Sequence, residues 1–262
     1  MLERTLSRIP RTTGLTPLQL RGSGGATELS SWRLRLDPGS QVVHAVPGEE
    51  AVLVLQEGRG EWSAGGETRS VARTSVFADR ASALYLPAGE RFEVSATGDQ
   101  PLEAILVSTP ATRAGQPVFA GPADVVVNHR GKSSFRRDVH DIFVRDPYGQ
   151  RLMVGETFNP PGHWSSFPPH KHDGRNGEPA LEEVYHYRVD PPNGFGLQMM
   201  YTNDGEHVVH EVRDGDTVLL PYGYHPVTSP PGYQLYYLWA MAGAQRKLAL
   251  YEDPAHAWIA QV

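Results

Sequence analysis

The chain contains no cysteine, and this absence narrows the chemistry open to it. Its 262 residues can form no disulfide, no thiolate nucleophile and no cysteine-bound metal site. Any metal would have to be bound by histidine and carboxylate side chains. The sequence offers 11 histidines and 30 Asp and Glu residues for that role.

Long apolar segments, a signal sequence and a positive charge surplus are also absent. No run approaches the ~18 apolar residues that a membrane helix needs, and the first ten residues lack a secretory signal. The net charge of −6, with scattered Lys and Arg, gives no basic surface for nucleic acid. No GxGxxG or GxxxxGK loop is present. We therefore expect a cytoplasmic protein that binds neither nucleic acid nor membrane, uses no nucleotide cofactor and acts on a small molecule.

Short apolar runs are the main pattern in the sequence. They recur at 51–55, 83–86, 184–187, 218–220 and 234–239, and Gly, Pro, Asn or Asp closes each one. The chain has 27 Gly and 22 Pro in total. Short apolar runs separated by regularly spaced turn residues predict an all-β sandwich or barrel in which helix is a minor component. A short helix is expected only near the C-terminus, around 253–258.

The two halves of the chain share a spacing. Glu50 begins an apolar strand, and Arg91 closes a Pro-x-Gly segment 41 residues later; Glu183 and His225 stand in the same relation 42 residues apart. A turn-rich segment near the midpoint, 109–117, separates the two halves. The agreement predicts a duplicated β-domain.

Histidines concentrate in the second half, where seven of the 11 fall between 163 and 225. His170 and His172 flank Lys171, and residues two apart on an extended strand point to the same face. The pair therefore has the geometry of a two-histidine chelate, although His-x-His alone is a common pattern.

The sequence after this pair supplies further ligand types. Asp-Gly and Asn-Gly turns at 173–179 let the chain double back, so that a second strand lies beside the first. On that strand we place Glu183 rather than Glu182 inward, because an inward Glu182 would force Arg188 into the barrel. A later turn projects His225. Three imidazoles and one carboxylate suit one divalent metal per chain, Zn²⁺, Mn²⁺ or Fe²⁺, with positions left open for substrate.

This arrangement resembles the cupin fold, whose motifs are His-x-His followed by Glu and, later, Pro-x-Gly before a His. The gap from His172 to Glu183 is longer than in most cupins, and the Pro221-to-His225 motif is one residue shorter. The resemblance implies two tandem cupin (double-stranded β-helix) domains, 1–120 and 121–262. The first is expected to be degenerate and without metal ligands, since Arg91 occupies the place of His225.

A closer resemblance is to the 5-deoxy-glucuronate isomerase family of myo-inositol catabolism, a bicupin family related to 5-keto-4-deoxyuronate isomerase. It is carried by the segments 169–173, 181–185, 214–216, 221–226, 236–237, 241–243 and 253–259, and it is dense only from about residue 125 onward. The resemblance implies that His170, His172, Glu183 and His225 bind the metal. It also implies an aldose–ketose interconversion of 5-deoxy-glucuronate and 2-deoxy-5-keto-gluconate.

Other side chains are candidates for catalysis or substrate binding. Tyr185 and Tyr187 share the face of Glu183 and are either proton-relay groups or ordinary aromatic core. Arg175 and, second, Lys171 are candidates to bind the substrate carboxylate, with a solvated loop charge as the alternative for Arg175. Gln198 is a candidate pocket residue, although the opposite face of its strand is equally open to it.

A basic segment and two other function classes stay open. The segment 129–140, which includes Arg130 and Arg137, could cover the site, line a subunit contact or be plain surface charge. Instead of an isomerase, the chain could be a non-haem Fe(II) dioxygenase or a non-catalytic carbohydrate-binding bicupin. For an isomerase we expect a small sugar-acid substrate and a homo-oligomer.

Overall fold

The computed structural model describes residues 2–261, and nearly all of its regular structure is β-strand. Among these residues the helical elements are three 3₁₀ turns, Leu2–Arg4, Ser133–Phe135 and Ala257–Gln261. The prediction of an all-β chain with little helix is confirmed. No helix within the described range is long and apolar enough to cross a membrane.

The N-terminal half forms one curled nine-stranded sheet. Its strands are β2 (Gly14–Gln19), β3 (Ser30–Leu36), β4 (Gln41–Ala45), β5 (Glu49–Ala64), β6 (Glu67–Arg73), β7 (Ala83–Leu86), β8 (Arg91–Ala96), β9 (Leu102–Pro110) and β10 (Val118–Ala120). The main path of hydrogen-bonded neighbours runs β10-β7-β5-β9-β3-β2, and β4, β6 and β8 extend it from the long β5.

The C-terminal half repeats this plan. Its strands are β11 (Val126–Arg130), β12 (Arg137–Phe143), β13 (Leu152–Asn159), β14 (Trp164–Ser165), β15 (His170–Lys171), β16 (Glu182–Asp190), β17 (Gly196–Tyr201), β18 (His207–Val212), β19 (Thr217–Leu220), β20 (Val227–Thr228), β21 (Gln234–Ala242) and β22 (Tyr251–Glu252). Its largest sheet runs β1-β19-β16-β21-β13-β12-β11, where β1 is Leu6–Ser7. The smaller sheets are β14-β20-β17-β18 and β15-β22.

The strand orders of the two halves correspond strand for strand, from β7-β5-β9-β3-β2 to β19-β16-β21-β13-β12. The first strand departs from the expected division near residue 120. Leu6 of β1 pairs with Val218 of β19, so the chain begins in the sheet of the C-terminal half. The domain boundary itself stays a prediction.

The structure aligns equivalent positions of the two halves one residue differently from the alignment expected from the sequence spacing. Ala51 pairs with Leu86, and Glu183 pairs with Leu220, and each of these leucines directly precedes a proline. Glu50 therefore corresponds to Glu182, and Ala51 corresponds to Glu183.

The corresponding carboxylates Glu50 and Glu182 tie the two halves together. Both are buried. Glu182 accepts the backbone N–H groups of Thr27, Glu28 and Leu29 at 2.7, 3.0 and 2.8 Å, and the Thr27 hydroxyl at 2.9 Å. Glu50 likewise accepts the three backbone N–H groups of residues 150–152 and the hydroxyl of Tyr85. Each half therefore supplies a buried carboxylate that accepts backbone hydrogen bonds at the start of a strand of the other half.

Glu182→Gln is expected to lower the free energy of unfolding by about 3 kcal/mol, because an amide NH₂ would face backbone donors and the charge-assisted bonds would be lost. Urea denaturation measures this change. Glu61→Gln, at an exposed position of β5, should change it by no more than about 0.5 kcal/mol. Equal effects of the two substitutions would show that Glu182 contributes nothing special to the fold.

Apolar side chains fill the inside of the N-terminal half, whereas the C-terminal half carries polar groups at the corresponding positions. Ala51 and Leu53 occupy the positions of Glu183 and Tyr185, and they pack into a core with Leu84 and Trp62. A separate core joins the two halves, where Val52 and Val54 pack in one cluster with Val184 and Leu238. The packing therefore leaves the C-terminal barrel as the half whose interior is equipped for chemistry.

Candidate metal centre

Three of the four predicted ligands meet inside the C-terminal barrel. The ligand atoms of His172, Glu183 and His225 all lie within 4.8 Å of one another, and all three residues are buried. The Nε2 atom of His172 lies 3.1 Å and that of His225 lies 3.4 Å from Oε2 of Glu183. His172 follows β15, Glu183 lies near the start of β16, and His225 lies in the turn after β19. Neighbouring strands therefore bring the three groups to one point.

The imidazoles are oriented by their other ring nitrogens. Nδ1 of His172 lies 2.8 Å from the Leu181 carbonyl oxygen, and Nδ1 of His225 lies 3.0 Å from that of Gly223. A carbonyl can only accept, so each Nδ1 donates its proton and each Nε2 is turned toward Glu183, where Nε2 of His172 donates to Oε2 and Nε2 of His225 has no hydrogen-bond partner. This arrangement is typical of histidines that bind metal through Nε2.

Two buried atoms of the cluster lack hydrogen-bond partners within residues 2–261. They are Oε1 of Glu183 and Nε2 of His225. Buried polar atoms are nearly always paired, and an orphaned carboxylate oxygen beside an orphaned imidazole nitrogen is costly. A cation between them would satisfy both atoms, so the residues present fit a divalent metal.

Burial and charge set the protonation of the histidines. Burial lowers the pKa of His225 to about 3, which keeps this imidazole neutral, the form that binds metal. Burial also acts to lower the pKa of His172, but the hydrogen bond and the charge of Glu183 outweigh it and raise the pKa.

The fourth predicted ligand, His170, lies beside this group. Its ring centroid is 5.0 Å from that of His225, and the two planes are nearly perpendicular. Burial lowers the pKa of His170 to about 3, and the nearby Arg137 acts in the same direction. His170 is thus a neutral imidazole at the edge of the cluster, where a cavity begins.

A cavity of about 370 Å³ opens beside the cluster, a size suited to a small metabolite. Its polar and charged lining comprises Arg130, Arg137, Asp141, Arg145, Thr157, Ser166, His170, Glu183, Tyr185, Tyr237 and Glu252. Trp239, Met241 and Leu250 form part of its apolar wall. A larger depression of about 810 Å³ lies on the N-terminal half, lined by Arg35, Arg59 and Arg80 among others. The metal-type cluster adjoins only the smaller one, which we therefore take as the functional cavity.

The two predicted tyrosines differ in their surroundings. Tyr185 lines the cavity, and its hydroxyl lies 3.3 Å from Ser166 Oγ. Burial raises the pKa of Tyr185 well above its ordinary value, so its hydroxyl stays protonated and is able to donate a hydrogen bond. Tyr187 is fully buried and donates to Gln198 Oε1 at 2.5 Å. The structure therefore places Tyr187 in the aromatic core rather than in the cavity wall.

The predicted substrate-binding residues do not line the cavity. Lys171 is buried and forms ion pairs with Asp173 and, at 2.6 Å, with Glu178, which neutralise its charge. Arg175 is exposed, with its guanidinium 5.4 Å from the centre of the Tyr222 ring. Both residues border a separate depression of about 190 Å³. They lie elsewhere because Lys171 points away from its histidine neighbours and because the 173–179 loop extends outward.

Gln198 also lies outside the cavity and acts through the backbone. It is fully buried, and its side-chain NH₂ donates to the His225 carbonyl at 3.0 Å. Gln198 therefore links Tyr187 to the turn that carries His225, which makes it a positioning residue for that imidazole.

Sequence reasoning did not single out several cavity residues. Tyr237 lies with its ring centroid 4.3 Å from that of Tyr185, and its hydroxyl is 2.9 Å from Ser165 Oγ. Ser166 and Glu252 also face the cavity. The alternating apolar pattern of β21 places Tyr237 on a core face but does not distinguish a core from a cavity wall.

The comparisons with known proteins agree with this architecture. Residues 20–259 match the KduI/IolB family. The chain is 39% identical over 219 residues to a 5-deoxy-glucuronate isomerase of Geobacillus kaustophilus, covering 80% of this chain and 78% of that one. It is 36% identical over 231 residues to a 5-deoxy-glucuronate isomerase of Bacillus velezensis, covering 86% and 84%.

Solved structures confirm the fold. An IolB-like protein from Salmonella typhimurium superposes with a TM-score of 0.90 at 32% identity, covering 97% of this chain and 98% of that one. Oxalate decarboxylase of Lactobacillus farciminis has a TM-score of 0.68 at 11% identity, covering 94% and 86%, and therefore supports the cupin fold alone. This chain belongs to the KduI/IolB family and is an isomerase.

Proposed function

We propose that this isomerase interconverts 5-deoxy-glucuronate and 2-deoxy-5-keto-gluconate with one divalent metal held by His170, His172, Glu183 and His225. The observation that carries the proposal is the pair of orphaned buried atoms, Glu183 Oε1 and His225 Nε2, at the edge of a small cavity. The names of the relatives support the substrate.

The reaction moves a hydrogen between adjacent carbons, so it requires carbonyl polarisation and proton transfer. When bound, the metal would supply Lewis acidity for the first requirement. Three imidazoles and a carboxylate suit Zn²⁺, Mn²⁺ or Fe²⁺. Tyr185, held protonated by its burial, donates a hydrogen bond to a substrate oxygen. The side chains of Trp239, Met241 and Leu250 give the cavity an apolar wall.

Chelation is expected to abolish turnover. Protein purified without chelator should contain about one divalent metal per chain by elemental analysis, and it should convert 5-deoxy-glucuronate to the ketose as followed by NMR. Removal of the metal should lower the rate at least about 1,000-fold, since Lewis-acid assistance contributes several kcal/mol. Adding the metal back should restore it, and a fully active metal-free protein would contradict the proposal.

The two alternative function classes have distinct outcomes in the same assay. Oxygen uptake on addition of substrate would indicate a dioxygenase. Sugar-acid binding without turnover by the metal-loaded protein would indicate a carbohydrate-binding bicupin. Stoichiometric ketose formation without oxygen uptake supports the isomerase.

A further inference from the structure

One arginine differs from every comparable arginine of the described chain in lacking a carboxylate partner. Among the buried and half-buried arginines, six form ion pairs within 4.0 Å: Arg33, Arg35, Arg73, Arg151, Arg188 and Arg246. Arg137 is half-buried and has no carboxylate within that distance in residues 2–261. A guanidinium removed from water is costly unless an anion pairs with it.

Backbone contacts hold Arg137 at the cavity. Its Nη1 atom donates to the carbonyl of Phe167 at 2.9 Å and to that of Phe135 at 3.1 Å. Its Nε and Nη2 groups have no hydrogen-bond partner in the described chain, and neither is enclosed away from solvent. The guanidinium is therefore fixed by one nitrogen and offers the other two to the cavity.

The surroundings of Arg137 favour an anion. Arg130 and Arg145, both exposed, line the same cavity. Burial lowers the pKa of Arg137 and the charge of Arg130 acts in the same direction, whereas Tyr237, Tyr185 and Glu252 act to raise it. Asp141 and Glu252 also line the cavity, but neither lies within 4.0 Å of Arg137.

We infer that Arg137 binds the carboxylate of a sugar-acid substrate, and this inference rests on the proposed function. The cavity that Arg137 lines is also lined by His170 and Glu183, so one small molecule can reach both the guanidinium and the metal-type cluster. Arginine pairs with carboxylates through two parallel N–H donors, which fixes orientation as well as charge. The residue therefore selects sugar acids over neutral sugars and aligns the far end of the substrate with the cluster.

The test compares two substrates in two variants. Arg137→Gln should raise the KM for 5-deoxy-glucuronate about 100-fold, the effect of removing one partner of a desolvated ion pair. For the uncharged primary amide of that substrate, the same variant should change the KM by less than about 5-fold. Arg175→Gln, the matched control on the outward loop, should change either KM by less than about 3-fold. Equal losses on both substrates would overturn the inference.

Folding and orientation need separate controls. The metal content and Tm of Arg137→Gln should match those of the wild type, which would exclude a merely structural role. If this variant fails to fold, Arg137→Lys serves instead. Lysine keeps the positive charge but cannot form the two parallel N–H hydrogen bonds of a guanidinium. We therefore expect about a 10-fold higher KM for 5-deoxy-glucuronate and no such change for its primary amide. An unchanged KM in both variants would overturn the inference.

Binding measurements separate this inference from the proposed function. Calorimetry on the metal-loaded wild type should show binding of glucuronate, and Arg137→Gln should weaken it about 100-fold. If the wild type turns over no 5-deoxy-glucuronate but glucuronate binding still depends on Arg137, the proposed function fails while the inference stands. If the wild type is active and neither binding nor KM depends on Arg137, the inference fails alone.

Discussion

Glu183→Gln is expected to lower kcat by at least about 1,000-fold, which corresponds to about 4 kcal/mol of lost transition-state stabilisation. The carboxylate is the only negative charge in the cluster of His172, Glu183 and His225. The substitution keeps the size of the side chain and removes that charge, so the metal per chain should also fall well below one. Elemental analysis and steady-state kinetics on the same sample measure both effects.

Glu182→Gln provides a matched control for this result. The two glutamates are adjacent on β16 and both are buried, but Glu182 accepts hydrogen bonds from the N-terminal half. At a temperature where the variant stays folded, Glu182→Gln should keep its metal and most of its activity. If Glu183→Gln bound sugar acid and metal normally and turned over at the wild-type rate, the catalytic assignment of Glu183 would be wrong.

Tyr185→Phe is expected to lower kcat about 100-fold through loss of a positioned proton donor. Because burial raises the pKa of Tyr185 well above its ordinary value, the residue acts as a donor rather than as a base at neutral pH. The measurement is kcat and KM at constant metal occupancy. Since metal and fold remain, the loss should fall on kcat.

Tyr187→Phe is the corresponding control on the same strand face. It removes a hydroxyl that donates to Gln198 inside the core, so we expect a lower free energy of unfolding by about 1 kcal/mol and little change in kcat. Equal losses of kcat in both variants would show that the hydroxyl of Tyr185 has no special role.

Strand alternation was sufficient to predict the inward face of β16. Placing Glu183 rather than Glu182 inside the barrel followed from the charge of Arg188, and the structure brings Glu183 to His172 and His225. On the opposite face of the same strand lie His186 and Arg188. Both are buried between the two halves, where Arg188 pairs with Glu57 at 3.2 Å and with Asp214 at 2.9 Å. Alternation predicts which side a residue faces but not what covers that side.

Contacts between residues far apart in sequence could not be predicted from local sequence patterns. Arg175 was selected for the substrate carboxylate because it lies in the loop between the ligand strands, yet that loop extends away from the cavity. Arg137 comes from β12, which reaches the cavity only because β13 and β21 lie between it and β16. Such a contact depends on strand order, which local sequence patterns do not determine.

The duplication could be recognised from spacing, but its register could not. Matching Glu50 to Glu183 was off by one residue, because the chain between the paired residues Ala51 and Leu86 is two residues shorter than the chain between Glu183 and Leu220. The pairing of β1 with β19 joins residues more than 200 positions apart, and no local signal marks it. The sequence thus predicts the repeat, while the exchange between the halves depends on tertiary structure.

Anomalous X-ray scattering from a crystal of the metal-loaded protein tests the metal centre most directly. We predict one strong peak per chain within about 2.0–2.2 Å of a ring nitrogen of each of His170, His172 and His225 and of a Glu183 carboxylate oxygen. A peak at a different group of residues, or no peak in crystals of protein that is fully active, would contradict the account.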